Sequence, residues 1–227
     1  MKLTHELNVE LIDWMGTDDS VINAARVSTQ KSAEGLSEKG KANFINRLIK
    51  DRHGSPCESG VMKFRLSFPI AMSREQVRHR MSSINEESAR YSVLEQEYYV
   101  PPKGRKLTQV GKTMDYVFEE GTPEQFELLV DSYTRSYTVA DEEYHRMLDA
   151  GICKELARMV NPVGMYTHMI VTMNLRSLMN YLSLRVESEK SHPQWEIQQI
   201  AHQMEDFFTE KFPLTHEAFV NNGRVAP

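Results

Sequence analysis

Residues 78–92, RHRMSSINEESARYS, bring three arginines, a histidine and four serines into fifteen positions. Cations in the last turn of a helix gain roughly 0.3–1 kcal/mol each from its dipole, so Arg78-His79-Arg80 could be a solvated helix end. Glu86, Ser88, Arg90 and Tyr91 add an acceptor, a hydroxyl, a further guanidinium and an aromatic ring within a dozen residues. Planar guanidinium forks and hydroxyls are what a phosphate monoester requires. The stretch therefore predicts a pocket for an anionic ligand.

A second group is Asn174–Arg185, NLRSLMNYLSLR. At about 100° per residue, Arg176, Asn180 and Ser183 fall on one helical stripe and Asn174, Tyr181 and Arg185 on another. Leu175, Met179 and Leu182 occupy an arc between them. A surface helix has one polar face. Two polar stripes predict a helix enclosed on several sides by protein or ligand; the alternative is an amphipathic helix with an arginine at its end.

Other stretches carry less. His53-Gly54-Ser55-Pro56-Cys57-Glu58 reads as a turn, backbone-rich enough to approach a phosphate. No pairing of His53, His79 and Cys57 has zinc spacing, so no metal is expected. There is no G-x-G-x-x-G and no P-loop, so a dinucleotide would bind in a non-Rossmann manner. Arg158 sits among apolar neighbours, either stem-packed at the surface or turned into a pocket.

These residues need elements to position them. Ser20–Val27 reads as a short helix capped by Asp18, Asp19 or Ser20. Ser37 caps a second helix, with Phe44, Ile45, Leu48 and Ile49 at helical spacing and a stop at Gly54. In Val61–Phe68, Met62, Phe64, Leu66 and Phe68 alternate with Lys63, Arg65 and Ser67: a half-buried strand closed by Pro69. Ser73-Arg74-Glu75-Gln76 is a capping-box pattern, predicting a helix from about 74 into the arginine triplet, with 82–92 on its last turn or in a loop. Residues 100–121 read mostly as loop. Thr122-Pro123-Glu124-Gln125 starts a long helix ended by Gly151, and a shorter one spans 152–160 before Asn161-Pro162. Residues 165–186 read as apolar helix, or strand then helix. Ser191-His192-Pro193-Gln194 starts a helix with Ile197, Ile200, Ala201, Met204 and Phe208 on one face, closed by Pro213. The reading is α+β, mainly helical, one domain over 1–227.

Bulk properties agree with an ordinary globular chain: 227 residues, 40% hydrophobic, 26% charged, net charge −5. That balance argues against a nucleic-acid coat protein. No run of about 18 apolar residues predicts a membrane span, and the first residues lack a signal-peptide core. Two cysteines are too few for a disulfide framework, so a cytoplasmic setting is expected.

The order Arg78-His79-Arg80, seven residues, Ser88 resembles the R-H-R-x7-S signature of the flavin-dependent thymidylate synthases. Asn85-Glu86 and Arg90-Tyr91-Ser92 are similar to its context. So are Ala25-Arg26-Val27-Ser28, the His53–Glu58 turn, Leu156-Ala157-Arg158, Asn174–Arg185 and Gln194-Trp195-Glu196-Ile197-Gln198, over about 170 residues. The resemblance implies that family's α+β fold with a small antiparallel sheet, in a homotetramer with sites shared between subunits. It implies methylation of dUMP to dTMP, with methylenetetrahydrofolate as carbon donor, NADPH as reductant and FAD carrying the hydride. By position, Glu75, Gln76, Val77, Arg78, Glu86, Glu87, Ser88, Ala89, Arg90, Arg158 and Arg185 resemble the nucleotide set. Arg185 matches the arginine that favours ionisation at uracil N3. Ser28, Ser55, Arg78, His79, Arg80, Glu86, Asn174, Leu175, Arg176 and Asn180 match flavin contacts, and His53 and Tyr91 lie in the flavin and folate vicinity.

Uracil C5 is a poor nucleophile. It is activated either by a thiolate at C6 or by stabilising charge on the ring with hydride from a cofactor. Neither Cys57 nor Cys153 has a motif-positioned base, whereas the arginines fit the second route. Ser88, with no triad, reads as a substrate contact. The chain departs from the family at Glu75, where relatives often carry Gln, at Cys57, often aromatic, and at Ser59, often His. The 186–193 stretch is a few residues longer, so His192 receives no role. A flavoprotein reductase acting on another anion, and a nucleotide-binding regulatory protein without turnover, remain alternatives at this stage.

Overall fold

The structure, a computed structural model, describes residues 1–112, 115–189 and 191–227. Thr113, Met114 and Lys190, inside the 100–121 and 186–193 stretches read above, lie outside the described residues. In chain order the elements are β1 (Lys2–Thr4), β2 (Asn8–Met15), α1 (Asp18–Arg26), α2 (Glu38–Lys50), β3 (Val61–Pro69), α3 (Ile70–Gln76), β4 (Ser83–Glu86) and β5 (Glu97–Tyr99). They continue with β6 (Thr108–Lys112), β7 (Asp115–Glu119), α4 (Pro123–Asp149), α5 (Lys154–Ala157), β8 (Tyr166–Asn174), α6 (Leu175–Arg185), α7 (Trp195–Lys211) and α8 (Pro213–Asn221). Among the described residues no helix is long and apolar enough to cross a membrane. The chain forms two compact units.

The larger unit comprises Leu7–Ser67, Met72–Glu86 and His168–Pro227. Its sheet has the strand order β2-β3-β8-β4, with β2 antiparallel to β3 and β4 antiparallel to β8. The alternation read in β3 is realised: Met62, Phe64 and Leu66 are buried while Lys63 and Arg65 face out. On that outer face Glu10 stands opposite Arg65 and Asp13 opposite Lys63, opposite-charge pairs that favour this register. The α7 stripe Ile197, Ile200, Ala201, Met204 and Phe208 is buried as its spacing predicts. Asp18, expected as a cap of α1, is buried and caps α8 instead. Its carboxylate accepts from the Leu214 and Thr215 N–H groups at 3.0 and 2.9 Å and from the Thr215 hydroxyl at 2.6 Å. The α1 N-cap is Thr17, whose N–H donates to Ser20 Oγ.

The smaller unit comprises Met1–Glu6, Phe68–Ala71 and Glu87–Thr167. Here β1 pairs in parallel with β5, and β6 and β7 form a hairpin. Thr122 and Gln125 make the reciprocal cap expected for α4. Gly151 ends it at φ +81°, with its N–H on the Leu148 carbonyl and that of Ile152 on Met147, a Schellman closure. Tyr98 and Tyr137 stack at 4.8 Å in the core, and the Tyr137 hydroxyl donates to the Tyr99 carbonyl.

Several expectations are corrected. α3 begins at Ile70, directly after Pro69, and stops at Gln76 before the arginine triplet; Ser73 is buried inside it rather than capping it. Residues 83–86 are a strand, because pairing with β8 supplies their backbone partners. α2 ends at Lys50 because Arg52, not Gly54, takes the left-handed conformation (φ 61°). Ser191 does not cap α7, which starts at Trp195; its hydroxyl donates to the Leu184 carbonyl. Pro213 opens α8 as well as closing α7, since proline is tolerated in a first helical turn. The hairpin in 100–121 and strands β1 and β2 are short or charged, so alternation did not reveal them.

Candidate active site

β8 delivers the chain into α6, where Asn174 is the N-cap and accepts from the Ser177 N–H at 2.9 Å. Leu175, Leu178, Met179 and Leu182 are buried, which fixes the rotation of the helix. The two polar stripes then point in different directions. Arg176 and Asn180 are exposed, while Tyr181 and Arg185 turn toward the segment that follows α3.

That segment carries the arginine triplet. Backbone bonds from Arg78 to Glu75 and from His79 to Gln76 close a turn, and Ser82 Oγ donates to the His79 carbonyl at 2.6 Å. Arg78 and Arg80 are exposed; His79 is 8% exposed and meets the Tyr181 ring edge-on at 4.6 Å. Arg185 Nε donates to His79 Nε2 at 3.1 Å, its Nη1 to the Glu75 carboxylate at 2.5 Å, and its Nη2 to the Glu75 carbonyl at 3.4 Å. An imidazole that accepts at Nε2 is neutral and carries its proton on Nδ1. Burial, with the adjacent Arg185 charge, pushes the His79 pKa down to about 4, so the neutral form persists at pH 7. Burial likewise raises the Tyr181 phenol.

Two cavities open here, sharing Met81, Ser177 and Asn180 in their linings. One, of about 500 Å³, also has Arg78, His79, Arg80 and Arg185 on its walls. The other, of about 390 Å³, is lined by Asn174 and Arg176, with Glu58, Ala226 and Pro227. Arg176 is held by Glu58 (2.8 Å) and by the Pro227 carbonyl, which accepts from Nε at 2.8 Å. Arg52 donates to the Val225 and Ala226 carbonyls at 3.1 and 3.0 Å. Gly54 fits between these groups because it lacks a side chain. A Cβ there would lie 2.6 Å from both Arg176 Nε and the Pro227 oxygen.

The remaining residues divide. Val77 and Glu86 are exposed near the same turn and at the end of β4. His53, Ser28 and Ser55 are exposed on loops and short 3₁₀ turns of the larger unit. Gln76 is fully buried, its amide atoms without a hydrogen-bond partner among the described residues. Leu175 packs against Gly60 and its N–H donates to the Gly60 carbonyl. Glu87, Ser88, Ala89, Arg90, Tyr91 and Arg158 belong to the smaller unit. There Ser88 Oγ accepts from the Arg90 N–H, and Arg90 pairs with Glu155 at 3.3 Å and lies over the Tyr91 ring. Lys154 donates to the Tyr91 carbonyl at 3.0 Å. Arg90 and Lys154 help to line a cavity of about 510 Å³ within that unit.

The sequence reading named Ser177 and Glu58 within their stretches but gave them no role of their own, and it missed the Val225–Pro227 tail. Ser177 was available as a one-turn neighbour of Asn174 and Asn180. The tail carries no pattern that could have announced it.

A chemistry of anion recognition emerges: guanidinium groups, amides and the N-terminus of α6 around two neighbouring cavities. The family model described as thymidylate synthase complementing protein matches residues 10–214. The chain is similar to the flavin-dependent thymidylate synthase of Streptomyces coelicolor, 46% identical over 237 residues, covering 100% of this chain and 96% of that protein. It is also similar to the Thermotoga neapolitana protein of the same description, 41% identical, covering 93% and 90%. A solved structure of the UMP/dUMP methylase PolB from Streptomyces cacaoi, bound with 5-Br dUMP, superposes with a TM-score of 0.94 at 43% identity, covering 100% of both chains. The same protein bound with 5-Br UMP gives 0.93 at 42%.

Proposed function

The chain belongs to the flavin-dependent thymidylate synthase family, and on that premise we propose that it methylates dUMP at C5 of uracil to give dTMP, with 5,10-methylenetetrahydrofolate as carbon donor, NADPH as reductant and FAD as cofactor. The observation that carries this reading is the Arg185 guanidinium, held in one orientation by Glu75 and His79 on the wall of a cavity that also has Arg78 and Arg80. A fixed cation of this kind stabilises negative charge on a pyrimidine ring without reorganising during the reaction.

The residues present fit a flavin dinucleotide. Asn174 and Arg176, at the N-terminal end of α6, and Asn180, midway along it, would hold it with donors suited to a diphosphate, and Gly54 leaves space that a side chain would fill. Bound FAD supplies the hydride chemistry that no side chain provides. The chain's own residues do the rest. Arg78 and Arg80 neutralise phosphate; Arg185 favours ionisation at uracil N3; neutral His79 accepts from Arg185 without setting a second cation beside it. From the smaller unit, Glu87, Ser88, Ala89, Arg90 and Arg158 are read as further nucleotide contacts, with complete sites assembled in a homotetramer. Tyr91 and His53 belong to the flavin and folate vicinity. Cys57 is unsuited to act as a nucleophile: it is buried, and burial pushes its thiol up to about 12. A cytoplasmic enzyme is the corresponding setting.

The test is dTMP formation by the purified, FAD-loaded protein from dUMP, methylenetetrahydrofolate and NADPH, with UMP in parallel. Product from dUMP is expected. NADPH oxidation indifferent to dUMP would mark a reductase instead. Nucleotide binding with no turnover would mark a regulatory protein.

A further inference from the structure

Among the described residues Glu75 is the one carboxylate bonded to Arg185, and the pair lies mostly out of solvent, with side-chain exposures of 25% and 18%. A guanidinium has five N–H donors. Three are engaged: Nε with His79, one on Nη1 with the Glu75 carboxylate, one on Nη2 with the Glu75 carbonyl. Two, one on each Nη, have no partner among the described residues, and Arg185 lines the cavity of about 500 Å³. The same residue that fixes the direction of the guanidinium therefore places a negative charge against it.

We propose that Glu75 is a positioning residue that sets the strength of Arg185: its carboxylate orients the guanidinium and withholds part of its charge from the bound pyrimidine, fixing the pH at which uracil N3 ionises in the site. The inference rests on the assignment of Arg185 to the uracil ring. An N3 anion and the Glu75 carboxylate compete for one cation, and the N3 proton leaves to solvent. The charged and titratable groups around it are Glu75 from α3, Arg78, His79 and Arg80 from the turn after it, and Tyr181 from α6. Ser177 and Asn180 on the same wall are neutral. The arginines and His79 stay the same when Glu75 is changed, so they shift the N3 midpoint equally in every variant.

Glu75→Gln keeps a carbonyl oxygen to accept from Nη1 and removes only the charge. Glu75→Asp keeps the charge and retracts it by one methylene. The probe is 5-bromo-dUMP, whose ring halogen acidifies N3 so that its ionisation is followed by ultraviolet difference spectra on the FAD-loaded enzyme across pH. Removing a like charge within about 6 Å lowers the midpoint by about one unit, so E75Q binds the N3 anion about tenfold more tightly than wild type. E75D keeps the wild-type midpoint with a lower kcat, because Arg185 is less firmly held. A purely structural role for Glu75 would change kcat and stability in both variants without moving the midpoint. An unmoved or raised midpoint in E75Q, or an equal drop in E75D, overturns the inference. If E75Q does not retain flavin, Glu75→Ala takes its place as the uncharged variant: a lowered midpoint supports, an unmoved or raised one overturns. Wild-type enzyme that neither binds 5-bromo-dUMP nor makes dTMP overturns the functional assignment instead.

Discussion

Replacing Gly54 with alanine tests whether the Val225–Pro227 tail belongs to the flavin site. Gly54 has φ −79° and ψ −30°, open to any residue, so its requirement is space alone. A Cβ would stand 2.6 Å from Arg176 Nε, 2.9 Å from its Cζ and 2.6 Å from the Pro227 oxygen. Ordinary contact begins near 3.4 Å, so two groups on different segments must retreat. The tail resists, because Arg52 holds its Val225 and Ala226 carbonyls and Arg224 is tied to Glu205 at 2.7 Å. Arg176 can swing away only by giving up its bond to Pro227. Overpacking costs about 1–3 kcal/mol and the lost bond about 1 kcal/mol. The half-exposed Glu58–Arg176 pair adds under about 1 kcal/mol. The sum is about 2–5 kcal/mol of stability, and a misplaced Arg176 weakens FAD binding about tenfold or more, about 1.4 kcal/mol. Urea midpoints report the first and flavin fluorescence on titration with FAD the second. Gly35→Ala is the control: its φ of +78° strains an alanine, but nothing lies within 4 Å, so it costs about 1 kcal/mol and leaves FAD affinity unchanged. If G54A binds FAD as tightly as wild type, the cradle assigned to Arg176, Gly54 and Pro227 is wrong.

Three further outcomes follow from the geometry. Asp18→Ala strands the donors of Leu214 and Thr215 in a buried place and should cost about 3 kcal/mol in a urea titration; a loss under about 1 kcal/mol would show that α8 does not depend on this cap. His79 has a pKa of about 4 when folded against an ordinary 6.5, so the folded state binds fewer protons between those values. Its contribution is intact above pH 6.5 and is lost as pH falls toward 4, by up to about 3 kcal/mol. His79→Asn should flatten that part of the stability–pH curve, and an unchanged curve would contradict the neutral, buried imidazole. Arg185→Ala and Arg90→Ala should each abolish dTMP formation while light scattering still shows the assembled oligomer; activity in both would refute their roles.

What the sequence disclosed depended on how far each signal reaches along the chain. The β3 alternation, the α7 stripe, the Thr122–Gln125 cap and the Gly151 stop are local, lying within about two helical turns, and each is realised. Several failures share a form: a local signal was outcompeted by another, often one far along the chain. Ser73–Gln76 has a capping pattern, but Pro69 had already opened the helix. Asp18 sits where α1 begins and spends its carboxylate on α8, nearly two hundred residues away. Residues 83–86 become a strand because β8 supplies partners.

The candidate site divides along the same line. Arg78, His79, Arg80, Asn180 and Arg185 were legible as motif and helix stripe, and one cavity wall carries all five. How Arg185 is held was not legible. Its orientation comes from Glu75, a hundred and ten positions away, and from the Nε2 of an imidazole whose burial keeps it neutral. Motifs record which groups meet the ligand. The field those groups exert is set by contacts across the fold, and an arginine paired with a carboxylate presents less charge to its ligand than its place in a motif implies.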